Sequence, residues 1–291
     1  MGPGLIVPPL SEDDTATPAQ SGEGKTKKVG PIPPNDFQKY VVEVTGQPST
    51  LYGADFFENS RNDISNAEHS PVTGDYGLSA GDQLLVRTWG SASGEYQLTL
   101  DRNGEVSIPK LGTVKMAGVT SSQAEDVLKS VFARHYKDFE ISLSPGKLRK
   151  ITVYAVGQSR FPGSYNLSSQ STLSTAPFAS GGPSSNGSVR RVQLKRNNAM
   201  ISEFDLYSFL SKGDESADVK LQDGDVIYFP RAAGDMAFIG KVNTPGVYEI
   251  KDATETVGDF LGLAAGLSML ADPRQAKFGA SHPGFRPGTK S

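Results

Sequence analysis

From residue 83 onward, apolar and polar residues alternate along short runs, and a period of two predicts strands. Gln83-Leu84-Leu85-Val86-Arg87-Thr88-Trp89 follows the turn pair Gly81-Asp82 and reads as the first strand. Tyr96, Leu98 and Leu100 alternate in the next run. Asp101-Arg102-Asn103-Gly104 then predicts a turn into Val106-Ser107-Ile108-Pro109, so that the two runs form a hairpin, with Pro109 at its end or edge. The period changes to 3.6 over 120–136. There Ala124, Val127, Leu128, Val131 and Phe132 make one apolar stripe, and Thr120 with Gln123 predicts a capping box. Strands over 141–143 and 151–156 follow. A shorter helix is predicted over 35–46, capped by Asn35, ended by Gly46 and striped by Phe37, Tyr40, Val41 and Val44. That stripe is expected to pack on the domain that follows.

Beyond residue 150 the chain repeats itself. Gly157, Pro162, Gly163 and Tyr165 recur 83 positions later as Gly240, Pro245, Gly246 and Tyr248. With one inserted residue, Thr172 and Gly182 recur as Thr256 and Gly266. Each copy reads as strand, Pro-Gly turn, strand, short helix and glycine loop. The Pro-Gly pair predicts a type II turn with the glycine at positive φ. Pro177 falls inside the first copy's helix and is expected to shorten or displace it. The first copy closes with strands over 189–194 and 201–205 and with Leu221 to Pro230, which includes Gly224-Asp225. The second copy ends before such strands appear, which reads as truncation.

Composition narrows the chemistry. The chain has 29 basic and 32 acidic residues, 32 glycines, 19 prolines and no cysteine in 291 residues. The balanced charge argues against nucleic acid as a partner. The missing cysteines exclude disulfides, thiolate metal sites and cysteine nucleophiles. No apolar run is long enough to span a membrane as a helix. The first residues do not read as a signal peptide, so either the protein is cytosolic or a secretion signal has been removed. Residues 1–36 hold seven prolines, five glycines and no aromatic residue, and read as a disordered arm. Gly24-Lys25-Thr26 imitates the end of a phosphate loop, but position 19 is alanine and no strand precedes it. His69, His135 and His282 stand apart with no metal spacing, and no nucleophile elbow occurs. Asp82 and Asp225 both follow glycines; a turn role, bonding to amides two residues on, explains them better than paired catalytic carboxylates. The expectation is therefore no catalytic residue, no metal and no cofactor.

The ordered turns carry a resemblance. Tyr76 to Trp89, Gly104 to Pro109, Leu111-Gly112, Gly118 to Thr120 and the helix after them resemble the polysaccharide export domain of bacterial outer-membrane capsule exporters. The repeats resemble the soluble-ligand-binding β-grasp modules that follow that domain, and residues 36–57 are similar to the N-terminal extension of longer members. The resemblance implies an α+β fold, with a small α/β export domain followed by β-grasp-like repeats and a disordered N-terminal arm. The expected divisions are an arm over 1–35, a helix and linker over 36–75 and the export domain over 76–150. A complete repeat over 151–231, a partial repeat over 235–275 and a flexible tail over 276–291 follow. The family's lipid-modified cysteine and its C-terminal amphipathic pore helix have no counterpart in this sequence.

The resemblance further implies a periplasmic, outer-membrane setting, a passive ring-shaped conduit for capsular or exopolysaccharide, and an inner-membrane polysaccharide co-polymerase as partner. A monomeric glycan-binding module is the alternative. Trp89 reads first as a core residue and second, with nearby Tyr96, as a sugar platform. Arg190, Arg191, Lys195 and Arg196 read either as the solvated face of a strand or as a basic rim for an anionic glycan, with Arg87, Arg102 and Lys110 as further candidates.

Overall fold

The computed structural model describes residues 30–59, 72–271 and 279–281. The arm before residue 30, the Gly24-Lys25-Thr26 imitation, most of the linker, His69, His282 and residues 282–291 lie outside them. The protein is mixed α+β, built around two apolar cores.

The first core belongs to residues 72–148. Strand β1 (Gln83–Gly90) pairs antiparallel with β2 (Gly94–Thr99) on one side and β5 (Phe139–Pro145) on the other. Strands β3 (Glu105–Ile108) and β4 (Gly112–Lys115) form a separate two-stranded ribbon. Helix α3 (Ser121–Phe132) buries Ala124, Leu128 and Phe132 against these sheets, with Val127 and Val131 partly buried beside them.

The expected turn at Asp101–Gly104 forms, and Asp101 Oδ1 accepts from the amides of Asn103 and Glu105 at 2.9 Å each. The expected hairpin does not. β2 turns back on β1, and β3 takes β4, a strand the alternation had not marked, as its partner. Two differences also appear in α3. Thr120 makes no capping bond, because its hydroxyl faces Ser122 Oγ at 3.1 Å. The helix stops at Phe132, where the Arg134 and His135 amides tighten onto carbonyls three residues back, and Asp138 then takes a left-handed φ of 57°.

The second core holds both repeats. The first is a five-stranded sheet in the order β7-β6-β10-β8-β9, from β6 (Lys150–Gly157), β7 (Gly163–Ser168), β8 (Val192–Arg196), β9 (Ala199–Phe204) and β10 (Val226–Phe229). β10 lies parallel to β6, and every other pairing in this sheet is antiparallel. Helix α4 (Leu206–Lys212), capped by Asp205 and closed by left-handed Gly213, was not anticipated. The second repeat pairs β11 (Gly234–Phe238) with β12 (Gly246–Ile250) and carries helix α5 (Val257–Leu263). β13 (Gly279–Ser281) adds to the other side of β11.

The two copies repeat key hydrogen bonds. Tyr165 donates to the Phe161 carbonyl and Tyr248 to the Thr244 carbonyl, each at 2.6 Å. Gly182 N donates to Pro177 O at 2.7 Å and Gly266 N to Leu261 O at 2.8 Å. As Pro177 foretold, the first copy has only a single 3-10 turn, Ala176–Phe178, where the second has α5. The type II expectation is corrected. Positive φ belongs to Gly157 and Gly240, while Gly163 and Gly246 open strands β7 and β12. A Cβ on Gly157 would lie 2.4 Å from Phe229 O, whereas one on Gly240 would meet nothing within 4 Å. Gly240→Ala is therefore expected to cost the left-handed penalty of about 1–2 kcal/mol, and Gly157→Ala clearly more, in paired denaturation curves. Equal costs would show that the Phe229 contact relaxes freely.

Helix α1 (Asp36–Thr45) forms as expected, with a capping box between Asn35 and Gln38 and left-handed Gly46 at its end. Its packing differs from expectation on two counts. It buries Gln38 and Val41 and leaves Tyr40 and Val44 exposed. It also packs on the repeats instead of the domain that follows: Asn35 Nδ2 donates to Asp235 Oδ2 at 2.9 Å. Downstream, Tyr52 N donates to Val247 O at 2.8 Å and Val247 N to Thr50 O at 2.9 Å, so residues 50–52 extend the β12 edge. Helix α2 (Ala54–Asn59) follows. Tyr52 stacks on Tyr248 of the second repeat and meets Tyr207 of the first edge-on, and Phe56 and Phe57 pack on Phe178. The N-terminal segment is thus wedged across the junction of the two repeats.

Candidate functional site

In β1 the side chains of Leu84, Val86 and Thr88 point into the core, so strand parity sends Leu85, Arg87 and Trp89 outward. Trp89 is 48% exposed, and its expected core role is corrected. Register places its neighbours on the same outer face: Glu95, Gln97 and Thr99 on β2, and Glu140, Ser142 and Ser144 on β5. Tyr96 is opposite Val86 and therefore inward, with its ring 6.1 Å from Phe132. Trp89 and Tyr96 do not form a joint platform, because they occupy opposite faces of one sheet. What remains is an open, hydroxyl- and amide-bearing sheet face with one exposed indole.

The expected basic rim does not assemble. Arg87 is on this face but lies 3.1 Å from Glu95. Arg102 and Lys110 are exposed at opposite ends of β3. Arg190 is only 6% exposed. It bonds Asp205 Oδ1 at 3.3 Å, Glu255 Oε1 at 2.7 Å and the Glu249 carbonyl at 3.0 Å, and lies 4.6 Å from the Tyr207 ring centre. Arg196 grips the fully buried Asp225 with two bonds, at 2.7 and 2.8 Å. Arg191 faces Glu203 at 3.7 Å, and Lys195 Nζ lies 4.1 Å over the Tyr228 ring. Carboxylates brought in from distant parts of the chain therefore occupy Arg190 and Arg196, and they are corrected from glycan contacts to structural groups.

Asp82 and Asp225 share one construction. Each carboxylate accepts from the amide three residues before it, Ser79 N at 2.9 Å and Gln222 N at 2.7 Å, in the reverse direction from the expected turn. Each also takes an arginine, Arg149 at 3.0 Å and Arg196. Tyr76 donates to Asp82 at 2.8 Å and meets Ser169 Oγ at 2.9 Å, which ties the first core to the first repeat. Burial leads the forces that push the Tyr76 hydroxyl up to about 12. Both aspartates are fully buried and hold backbone amides and an arginine, which gives each a structural role. Pro109 and Pro230 end β3 and β10, and Gly112 opens β4. His135 lies past the end of α3. Among the described residues no group of acidic or histidine side chains could hold a metal, and no helix is long and apolar enough to cross a membrane.

A junction that sequence reasoning missed lies between the repeats. Glu249, 1% exposed, accepts from Ser188 Oγ and from Val189 N at 2.7 Å, while Tyr207 Oη receives the Glu249 amide at 2.8 Å. Asp235 is directly opposite on β11. Burial, opposed by the Ser188 and Val189 bonds, pushes the Glu249 carboxyl up to about 7. The only sequence signal was Asp205 ahead of Leu206, Phe209 and Leu210, a capped apolar stripe that locates α4 and with it Tyr207.

Residues 70–144 match the family described as polysaccharide biosynthesis/export protein. The chain is 29% identical over 221 residues to the polysialic acid transport protein KpsD of Escherichia coli, across 74% of this chain and 38% of that protein. It is 24% identical over 200 residues to the EPS I polysaccharide export outer membrane protein EpsA of Ralstonia nicotianae, across 67% of this chain and 52% of the relative. The chain thus spans about two fifths to half the length of these curated relatives. Residues 70–144 are thus similar to the polysaccharide biosynthesis/export domain, and the similarity to the two export proteins extends well beyond them.

Proposed function

We propose that this protein is the periplasmic part of an outer-membrane exporter of capsular or exopolysaccharide, and that it acts without making or breaking bonds. Copies of the chain close into a ring around a hydrated passage. An inner-membrane polysaccharide co-polymerase delivers the polymer and supplies the energy. Residues 76–150 are the export domain, and 151–231 and 235–275 are soluble-ligand-binding β-grasp repeats, the second of them partial.

The observation that carries this reading is the outward indole of Trp89 among hydroxyls and amides, within the residues that match the export family. An indole face packs on the apolar side of a sugar ring, while Gln97, Ser142 and Ser144 can exchange hydrogen bonds with its hydroxyls. Arg87 is offset by Glu95, and Glu140 adds further negative charge. Contact at this face should therefore depend weakly on salt, unlike capture by a basic rim.

The test is titration with neutral and acidic oligosaccharides, following the fluorescence of Trp89, the single tryptophan. A saturable change is expected, little altered between low and physiological salt, with the glycan recovered at its original length. Calorimetry should show about tenfold weaker binding for Trp89→Ala, or 1.4 kcal/mol. An unchanged spectrum at millimolar glycan, or the appearance of new reducing ends, would count against the reading.

A further inference from the structure

The two repeats are joined by a junction with two halves. From the first repeat comes the loop after Gly182. Asn186 O accepts from Ala232 N at 3.0 Å, and Ser188 and Val189 hold Glu249. From the second repeat comes the outer side of β12, where Glu249 is buried against the first repeat and Val247, also buried, pairs with Thr50 and Tyr52 of the N-terminal segment. Each half has a counterpart elsewhere in the chain; those of Ser188 and Val189 fall at 272 and 273, outside the described residues, and the described part of each counterpart is largely exposed.

The counterparts of Val247 and Glu249, 83 positions earlier, are Ser164 and Asn166 on β7. Both are exposed, and Tyr154 and Val156 are exposed on the adjoining strand β6. The counterpart of the Gly182 loop, 84 positions later, is the Gly266 loop. Gly182 is covered by the Phe57 ring, 2.6 Å from where a Cβ would be, whereas a Cβ on Gly266 would meet nothing within 4 Å. That open loop also turns apolar. Where the first copy has Pro183, Ser185 and Asn186, the second has Leu267, Met269 and Leu270, and the last is 81% exposed. Exposed apolar residues concentrated on one short loop mark a contact surface.

We propose that these open halves dock on each other between copies: the outer face of β6 and β7 of one chain receives the 266–270 loop of the next, continuing head to tail the junction inside each chain. The two surfaces differ, so the contact is heterologous, and repetition closes a ring or extends a filament. This inference rests on the oligomeric reading above and adds the surfaces that make it.

The absence of natural cysteine allows a direct test. Asn166→Cys and Leu270→Cys both fall at exposed positions. Under mild oxidation the double variant should give a ladder of covalent oligomers. An equimolar mixture of the two single variants should give covalent dimers, and each single variant alone none. Unfolding midpoints of the single variants should match the parent. Independently, Leu270→Lys should raise the protein concentration at half-assembly by about tenfold. Dimers from one single variant alone, or no covalent product from the double variant, would overturn the proposal. If light scattering then still showed oligomers, only this interface would fall and the conduit would stand; a monomer would remove both.

Discussion

Replacing Arg190 with methionine is expected to destabilise the protein by about 3–5 kcal/mol, among the largest effects of any single substitution here. The guanidinium is inside the protein, and its removal takes a charged partner from two carboxylates. Asp205 would keep Lys251 Nζ at 3.1 Å and its own helix-capping bonds, but Glu255 would lose its 2.7 Å partner. Methionine retains the apolar stem over Tyr207, so the loss would report on charge and hydrogen bonding more than on packing. The adjacent Arg191 is the control. It is half exposed and 3.7 Å from Glu203, and Arg191→Met should move stability by no more than about 0.5 kcal/mol. The sequence alone treats these two residues alike. Chemical denaturation of both variants checks the contrast, and equal small losses would contradict the buried role of Arg190.

The second large effect is a stability that falls as pH rises from about 4.5 to about 7. Glu249 has its folded carboxyl at about 7 against an ordinary 4.5, mainly because burial disfavours the anion. A carboxyl raised on folding binds its proton more tightly in the native state. Its contribution is therefore full below about pH 4.5 and is lost progressively up to about pH 7. The displacement corresponds to about 3 kcal/mol. Asp235, opposite on β11, is raised in the same direction by burial, with the Asn35 bond opposing. Glu249→Gln preserves an acceptor for Val189 N and a partner for Ser188. It should flatten most of the slope between about pH 4.5 and 7 and leave the variant more stable than the parent at pH 8. Parallel pH profiles for the two proteins would refute the assignment.

What could be read from the sequence was what local chemistry decides. Asn35, Gln38 and Gly46 specify both ends of α1 without help from the rest of the fold, and Pro177 shortens its own helix wherever the chain goes. The repeat was legible because each copy reuses the same tyrosine-to-carbonyl bond and the same left-handed glycines. The face that α1 buries was not, because Gln38 turns inward to donate to Ser49 O at 3.1 Å and leaves Tyr40 to solvent. The basic cluster was misleading for a similar reason. Arg190 and Arg196 find Asp205 and Asp225 at separations of 15 and 29 residues, which no local pattern exposes. Trp89 is different: the parity of Leu84, Val86 and Thr88 already assigned it to the outer face, against its type's preference for interiors.

The measurement that bears most directly on the conduit is the mass in solution, by size-exclusion chromatography with light scattering from low to high micromolar protein. A ring of protomers predicts one discrete species at several times 30.9 kDa. A mass of 30.9 kDa at every concentration would contradict the conduit and leave a protein that captures glycan as a single chain.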